Sequence, residues 1–381
     1  MEEFSALEDP RCGGKIEHRL IDILVIAVCA VIAGAESWED IALYGRSKID
    51  WLGTFLALPN GIPAHDTFRR VFMLIDPGHF ERCFEAWARS FGPPVEREVV
   101  AIDGKTIRGS FDRGREQGPL HVVGAWACDR GLILGQRQVG DKSNEITAIP
   151  ELLAVLDLKG AIVTLDAMGC QRAIAAKILE KGADYLVTLK ANQKKKFTAV
   201  QKLCATNCFS RSAIHRPIHD EFDESHGRLV RRRVFVCPEA VTLEPLRDWP
   251  GLQTVLAMES IRSINGSGKT ETDIRYFLSS STDHPEILAK AIRQHWQIEN
   301  GLHWVLDVTF QEDHCRMRDR NAVQNFSLLR KIALNLVRRP GATHEIALVA
   351  EPARQRRVSV WKRPLLSALV RTRSCQTLHQ D

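Results

Sequence analysis

Two short apolar runs, each ending in an aspartate, limit the possible folds of this chain more than any other feature. Val99-Val100-Ala101-Ile102 leads into Asp103, and Ile162-Val163-Thr164-Leu165 leads into Asp166. Both runs have the length and β-branched content of buried strands. A carboxylate at the end of a buried strand is costly to desolvate unless it is paired or binds a cation. Strand ends are also where sheet enzymes place functional groups. One such aspartate is most simply a turn or cap residue. Two of them, on strands expected to be neighbours, point to a shared site.

The surrounding pattern supplies the sheet. His121–Cys128 and Leu132–Val139 read as strands joined by Asp129-Arg130-Gly131, which has hairpin chemistry. Pro150–Leu156 and Gln171–Glu180 read as helices, and Asp184–Leu189 as a further strand. This order predicts an α/β fold, a mixed sheet covered by helices.

Upstream, residues 1–92 read as a helical domain. Leu20–Ala33 is one helix, and Ser37 with Asp40 forms a capping box that opens a second toward Tyr44. Asp66 is the expected N-cap of Thr67–Leu74, which Pro77-Gly78 would end, and His79–Ser90 is amphipathic. Gly92-Pro93-Pro94 reads as a linker. The catalytic core would occupy 93–190, a β-rich insertion 191–285, and a second helical part of the core 286–338. Within the insertion, Lys194-Lys195-Lys196 precedes β-like stretches at Leu229–Cys237, Leu252–Ile264 and Thr272–Ser279. Ile287–Val305 and Arg320–Val337 return to helix, and no internal repeat is visible.

Composition excludes several classes. With 44% hydrophobic and 26% charged residues, the chain is not a largely disordered, collagen-like or coiled-coil sequence. A net charge of +5 permits a nucleic-acid partner without demonstrating one. The ten cysteines form no C-x-x-C, and Cys204/Cys208 has no second pair at zinc-finger spacing. They read as reduced, mostly buried thiols in a reducing cytoplasm. Leu20–Ala33 is almost wholly apolar, but Asp22 interrupts it and an acidic stretch precedes it. It is shorter than the roughly 20 residues of a membrane span, so a buried helix is the better reading.

The third chemical element is Arg293–Asp307, RQHWQIENGLHWVLD. His295, Glu299, His303 and Asp307 recur every four residues, which on a helix places them along one face. Trp296, Leu302, Val305 and Leu306 would supply its apolar side. Three converging carboxylates can hold two divalent cations about 3.5–4 Å apart for in-line phosphoryl displacement. Hard oxygen ligands suit Mg²⁺ or Mn²⁺.

These segments resemble the ISAs-type, or H-repeat-associated, insertion-sequence transposases of the DDE superfamily. The resemblance rests on Pro63–Phe72 (PAHDTFRRVF), Ala101–Ser110 (AIDGKTIRGS), Lys142–Pro150 (KSNEITAIP), Leu165–Gln171 (LDAMGCQ), Ala183–Gln193 (ADYLVTLKANQ), His226–Arg228 (HGR) and Trp296–Asp313 (WQIENGLHWVLDVTFQED). It runs from about residue 8 to 338. It implies an RNase H-like core in which Asp103, Asp166 and Glu299 are the metal-binding and catalytic triad. It also implies nicking at the ends of a mobile element and attack of the freed 3′-hydroxyl on target DNA. The implied partners are double-stranded DNA and a second copy of the chain in a synaptic homodimer, in the nucleoid of a bacterial cytoplasm and away from membranes.

The wider superfamily often surrounds its glutamate with tyrosine, arginine and lysine. Here those positions hold Ile292, His295 and Leu306, which makes His295 a candidate phosphate contact. The tail beyond Val337 does not match the expected acidic-aromatic ending and carries nine basic against three acidic residues. The segment 339–381 is therefore read as a basic, divergent tail.

Further DNA contacts are expected from Lys105 and Arg108, which follow Asp103 closely, and from His303. Arg69 and Arg70 are expected on a helix-turn-helix that reads element ends. Arg228, Arg231, Arg232 and Arg233 are dense for one strand, and such a strand suits phosphate contact. Glu145, Glu312 and Asp313 read as supporting polar residues, and Trp296 and Trp304 as core packing. Two alternatives stand beside the transposase reading. One is a metal-dependent nuclease that cleaves without joining; the other is a defective remnant that only binds DNA.

Overall fold

The computed structural model describes residues 2–13, 16–140, 143–225, 228–264 and 270–339. Lys142, His226, Gly227 and the basic tail from 340 onward lie outside the described residues.

Helices come first: α1 (Glu2–Ser5), α2 (Leu20–Ile32), α3 (Trp38–Ser47), α4 (Ile49–Leu52), α5 (His65–Leu74) and α6 (Pro77–Arg89). The expected capping box on α3 is present: Ser37 Oγ accepts from Asp40 N at 3.1 Å, and Asp40 returns the contact to Ser37 N at 3.1 Å. Two boundaries differ from the sequence reading. Asp66 lies inside α5 rather than capping it, and its carboxylate pairs with Arg69 at 3.2 Å. Pro77 begins α6 rather than ending α5. A proline at the first helical position sacrifices no hydrogen bond, and Asp76 supplies the N-cap by accepting from His79 N at 2.7 Å.

The sheet comes next. Strands β1 (Val99–Ile107), β2 (Leu120–Ala127) and β3 (Leu132–Gln138) form an antiparallel meander. Helix α7 (Glu145–Val155) leads to β4 (Ile162–Leu165), and α8 (Arg172–Glu180) leads to β5 (Asp184–Leu189). Both of these strands run parallel to β1 and continue the sheet on its other side. After them comes α9 (Lys194–Asn207), a helix that the sequence reading left as a basic stretch. Strands β6 (His219–Ser225), β7 (Arg228–Val236), β8 (Thr254–Ile264) and β9 (Thr270–Ser279) complete the sheet, and β6 is also an addition to the sequence reading. The β-rich segment does not fold apart from the core: β9 pairs antiparallel with β5, giving one nine-stranded sheet of order β3-β2-β1-β4-β5-β9-β8-β7-β6. The chain ends its described part with α10 (Pro285–His295), a π-helical turn at Ile298–His303, α11 (Trp304–Val308) and α12 (Arg320–Arg338).

Two apolar layers cover the sheet, and strand alternation assigns residues to them. Val99, Ala101 and Ile162 join the core built with the N-terminal helices and α10–α12. Val100, Ile102, Val163 and Leu165 face the opposite core, under α7, α8 and α9. The N-terminal helices thus share a core with the sheet despite the Gly92-Pro93-Pro94 linker. Buried Asn325 on α12 ties them in, donating to Phe72 O at 2.8 Å and Ile75 O at 3.0 Å. Trp38 meets Phe326 edge-on, with centroids 5.0 Å apart. No helix among the described residues is long and apolar enough to cross a membrane.

Candidate active site

The same alternation places the two aspartates. In the parallel β1–β4 pair Ile102 is opposite Leu165, so Asp103 and Asp166 emerge side by side. Each is two residues on from a member of the pair Ala101 and Thr164, and both therefore point to the face covered by α10 and the π-helical turn. Thr164 marks that contact: its Oγ1 lies 2.9 Å from His295 Nδ1. Glu299, four residues further, stands at the exposed rim. Asp103, Asp166, His295 and Glu299 line one cavity of ≈ 280 Å³, with Lys190 and Arg275 as its cations.

Asp103 records the convergence. Its carboxyl is pushed up to about 7, first by burial; a bond from the Gly104 N–H works against this, and the negative charges of Glu145, Asp166 and Glu299 add to it. A desolvated acid with three acidic neighbours is short of positive charge, which suits a site for hard cations. The three carboxylates are not drawn to a single point. Among the described residues, the groups of metal-capable atoms that all lie within 4.8 Å of one another are elsewhere in the chain. Ligands for two ions about 3.5–4 Å apart are spread more widely than those for one. Asp166 also fulfils the turn role, since its Oδ1 accepts from Met168 N at 2.8 Å and Gly169 N at 3.2 Å.

The glutamate-bearing segment is not a regular helix. At Ile298–His303 the bonding steps to i→i+5, with Trp304 N–H donating to Glu299 O. Such a turn inserts an extra residue and rotates the residues after it, and π-bulges recur at functional sites. The change of phase corrects the face read from four-residue spacing. Leu302, Val305 and Leu306 are buried as expected, but Trp296 and Trp304 are 40% and 49% exposed rather than core. Arg275 covers the Trp296 ring at 4.7 Å.

Two histidines of the site, His295 and His303, are held below the ordinary imidazole range. Burial pushes His295 down to about 4 against the opposing charge of Asp166. Burial, then the charges of Lys105 and Lys331, brings His303 to about 4. The 3.6 Å approach of His303 Nδ1 to Asp103 Oδ2 is thus a polar contact rather than an ion pair. His295 can offer DNA a neutral N–H but not a charge.

Several candidate DNA contacts have other partners. Lys105 is 8% exposed and reaches Asp307 at 2.6 Å and Asp313 at 3.5 Å. Arg231 pairs with Asp220 at 2.6 Å, Arg232 with Glu221 at 3.3 Å, and Arg233 with Glu259. The acidic residues that neutralise them come from β6 and β8, and β6 was missed in the sequence. Arg228 opens β7, next to residues outside the described set. Arg108 is 85% exposed, although its guanidinium lies 3.6 Å from Asp313 and its backbone N–H bonds the same carboxylate at 3.1 Å. Arg69 and Arg70 are exposed on α5.

Glu145, read from the sequence as a supporting polar residue, stands beside Asp103. It opens α7, bonds His121 Nε2 at 2.8 Å and lies against the Cα of Gly104, next to Asp103. Thr106 Oγ1 holds the other ring nitrogen of His121 at 2.7 Å. The local signal was a carboxylate at a helix start, which is usually only favourable to the helix dipole.

The strand order β3-β2-β1-β4-β5, antiparallel on one side of β1 and parallel on the other, is that of an RNase H-like core. The chain belongs to the DDE transposases: the family described as "Transposase DDE domain" matches residues 94–336, and "DDE_Tnp_1-associated" matches residues 1–88. It is 43% identical over 344 residues to the "H repeat-associated putative transposase YhhI" of Escherichia coli (strain K12), covering 88% of this chain and 89% of that protein. It is likewise 43% identical over 345 residues to "Putative transposase YncI" of Escherichia coli O157:H7, covering 89% and 87%. A solved structure described as "Cryo-EM structure of piggyBac transposase synaptic complex with hairpin DNA (SNHP)" aligns with 99% of this chain and 77% of its own, at TM-score 0.41 and 11% identity.

Proposed function

We propose that this insertion-sequence transposase cuts the ends of its element and joins the freed 3′-hydroxyl to target DNA, with Asp103, Asp166 and Glu299 as the ligands of a divalent-cation pair. The observation that carries the reading is that three carboxylates, from two parallel strands and a π-helical turn, line one cavity, where burial first and then the acidic neighbours hold Asp103 above the ordinary carboxylate range. Bound Mg²⁺ or Mn²⁺ would polarise the phosphate and acidify the attacking water or hydroxyl.

The chain's own residues set the geometry. The register of β1 and β4 fixes the two aspartates side by side, and the Asp166 turn orients its carboxylate. His295, locked to Thr164, offers a neutral N–H beside the phosphate. In each step an oxygen nucleophile forms a bond to phosphorus as the opposite bond to the 3′-oxygen breaks, so no covalent enzyme intermediate is needed. Arg108, Lys190 and Arg275 would contact phosphates close to the reaction, while Arg69 and Arg70 would grip the element's end. Lys105, paired with Asp307 and Asp313, would hold the site together, and two copies would pair the two ends.

The test is supercoiled DNA carrying the element's ends, incubated with protein and Mg²⁺ or Mn²⁺. Asp103→Asn should lower cutting at least about a thousandfold, the loss of several kcal/mol of charge stabilisation, with band-shift binding retained. Cutting at the wild-type rate would remove the assignment. Products in which a 3′ end is covalently linked to target DNA separate a transposase from a nuclease that only cuts.

A further inference from the structure

Three cysteines that the transposition chemistry does not use meet at the far side of the sheet. Cys204 and Cys208 lie one turn apart at the end of α9, and Cys237 follows β7 directly. Their sulfurs all lie within 4.8 Å of one another, and the residues are 0%, 5% and 0% exposed. All three are free thiols. A second group shares Cys237: its sulfur, a His215 nitrogen and a Glu239 oxygen also lie within 4.8 Å of one another. The backbone brings His215 there, because its N–H donates to Asn207 O at 3.0 Å and folds the loop back onto the end of α9. Glu239 then holds His215 Nε2 at 2.9 Å.

Packing alone gives no reason to gather three thiols from two segments and to set an imidazole from a third against one of them, Cys237. Tetrahedral zinc does: with Zn–S near 2.3 Å and Zn–N near 2.0 Å, its ligand atoms are about 3.5–3.8 Å apart. Soft thiolates with imidazole select zinc over the hard cations suited to the carboxylate cavity. Sequence spacing concealed the site because its second half is not a C-x-x-C.

We propose that Cys204, Cys208, Cys237 and His215 bind one structural Zn²⁺, with the His215 nitrogen not bonded by Glu239 as the fourth ligand. Glu239 orients the ring from outside, as carboxylates do at zinc-bound histidines. A four-ligand site in this buried position is closed and has no place for substrate. Its effect is mechanical. The ion clamps α9, the loop before β6 and the end of β7 together, and so fixes the outer strands to the part of the sheet that carries Asp166.

The full-length protein, purified without chelators, should contain about one zinc per chain by mass spectrometric metal analysis. Cys208→Ser and Cys237→Ser should each lower that at least tenfold, and Cys128→Ser, at a buried cysteine outside the cluster, should not. Protein produced with Co²⁺ in place of zinc should show a thiolate-to-cobalt charge-transfer band in the near ultraviolet. This readout on the unmutated chain holds even if the serine variants fail to fold. Folded wild-type protein lacking both zinc and the cobalt band would overturn the proposal, as would an intact-mass measurement showing a disulfide among the three. His215→Gln should alter the visible cobalt spectrum; an unchanged spectrum would overturn the imidazole as the fourth ligand.

Discussion

The Lys105 ammonium lies 2.6 Å from the Asp307 carboxylate. That contact joins β1, two residues beyond Asp103, to α11, eight residues beyond Glu299. It spans the gap between the two halves of the candidate site. Asp313, at 3.5 Å from the same ammonium and also bonded to the Arg108 N–H, extends the tie to the end of β1.

Breaking this contact from one side should cost more than removing it whole. Asp307→Ala leaves a buried ammonium with one distant partner, and a loss of about 1–3 kcal/mol is expected, Asp307 being partly solvated. Lys105→Met combined with Asp307→Ala should recover part of that. Urea denaturation of the two single variants and the double variant gives the coupling; strict additivity would mean that the pair does not interact.

Glu81 makes stability depend on pH. Burial pushes its carboxyl up to about 7 from 4.5, despite the opposing contacts from Gln136 and Arg137. Below 4.5 both folded and unfolded chains keep the proton. Between about 4.5 and 7 the unfolded chain releases it first, so this group lowers stability as pH rises, by up to ~3 kcal/mol. Glu81→Gln should flatten the stability profile between pH 5 and 7 and raise the denaturation midpoint at pH 8. A profile parallel to wild type would refute the assignment.

A buried polar chain under α12 should be sensitive to loss of one hydroxyl. Ser327 Oγ donates to Glu312 Oε1 at 2.8 Å and is itself 2.8 Å from Lys331 Nζ. Glu312, Ser327 and Lys331 are at most 2% exposed. Ser327→Ala separates an acid and a base that have no access to water and should cost about 1–3 kcal/mol. Calorimetric Tm is a direct readout, and an unchanged value would show that water or a shifted side chain replaces the hydroxyl.

Gly104 is where Glu145 and His121 press on the strand beside Asp103. A methyl group there would overlap the Glu145 carboxylate and approach His121 Nε2 to 2.8 Å. Gly104→Ala should therefore displace Glu145 and lower end cutting roughly tenfold, about 1.4 kcal/mol, while near-ultraviolet dichroism shows an intact fold. Full activity would mean that Glu145 can move without consequence.

What the sequence determined was local. Apolar runs of strand length ending in Asp103 and Asp166, the Ser37–Asp40 cap and the hairpin at Asp129-Arg130-Gly131 depend on residues near one another in the chain, and each has its own periodicity or turn chemistry. The tertiary structure decided which distant groups share a space. It buried Lys105 against Asp307, neutralised the arginines of β7 with acids from β6 and β8, and left Trp296 and Trp304 exposed on either side of a π-helical turn. It joined the β-rich segment edge to edge with β5, drew Cys237 to Cys204 and Cys208, and set His215 against Cys237. The reason is physical: a charge or thiol is chemically defined by its neighbours and its access to water, and no local pattern encodes neighbours dozens or hundreds of residues away.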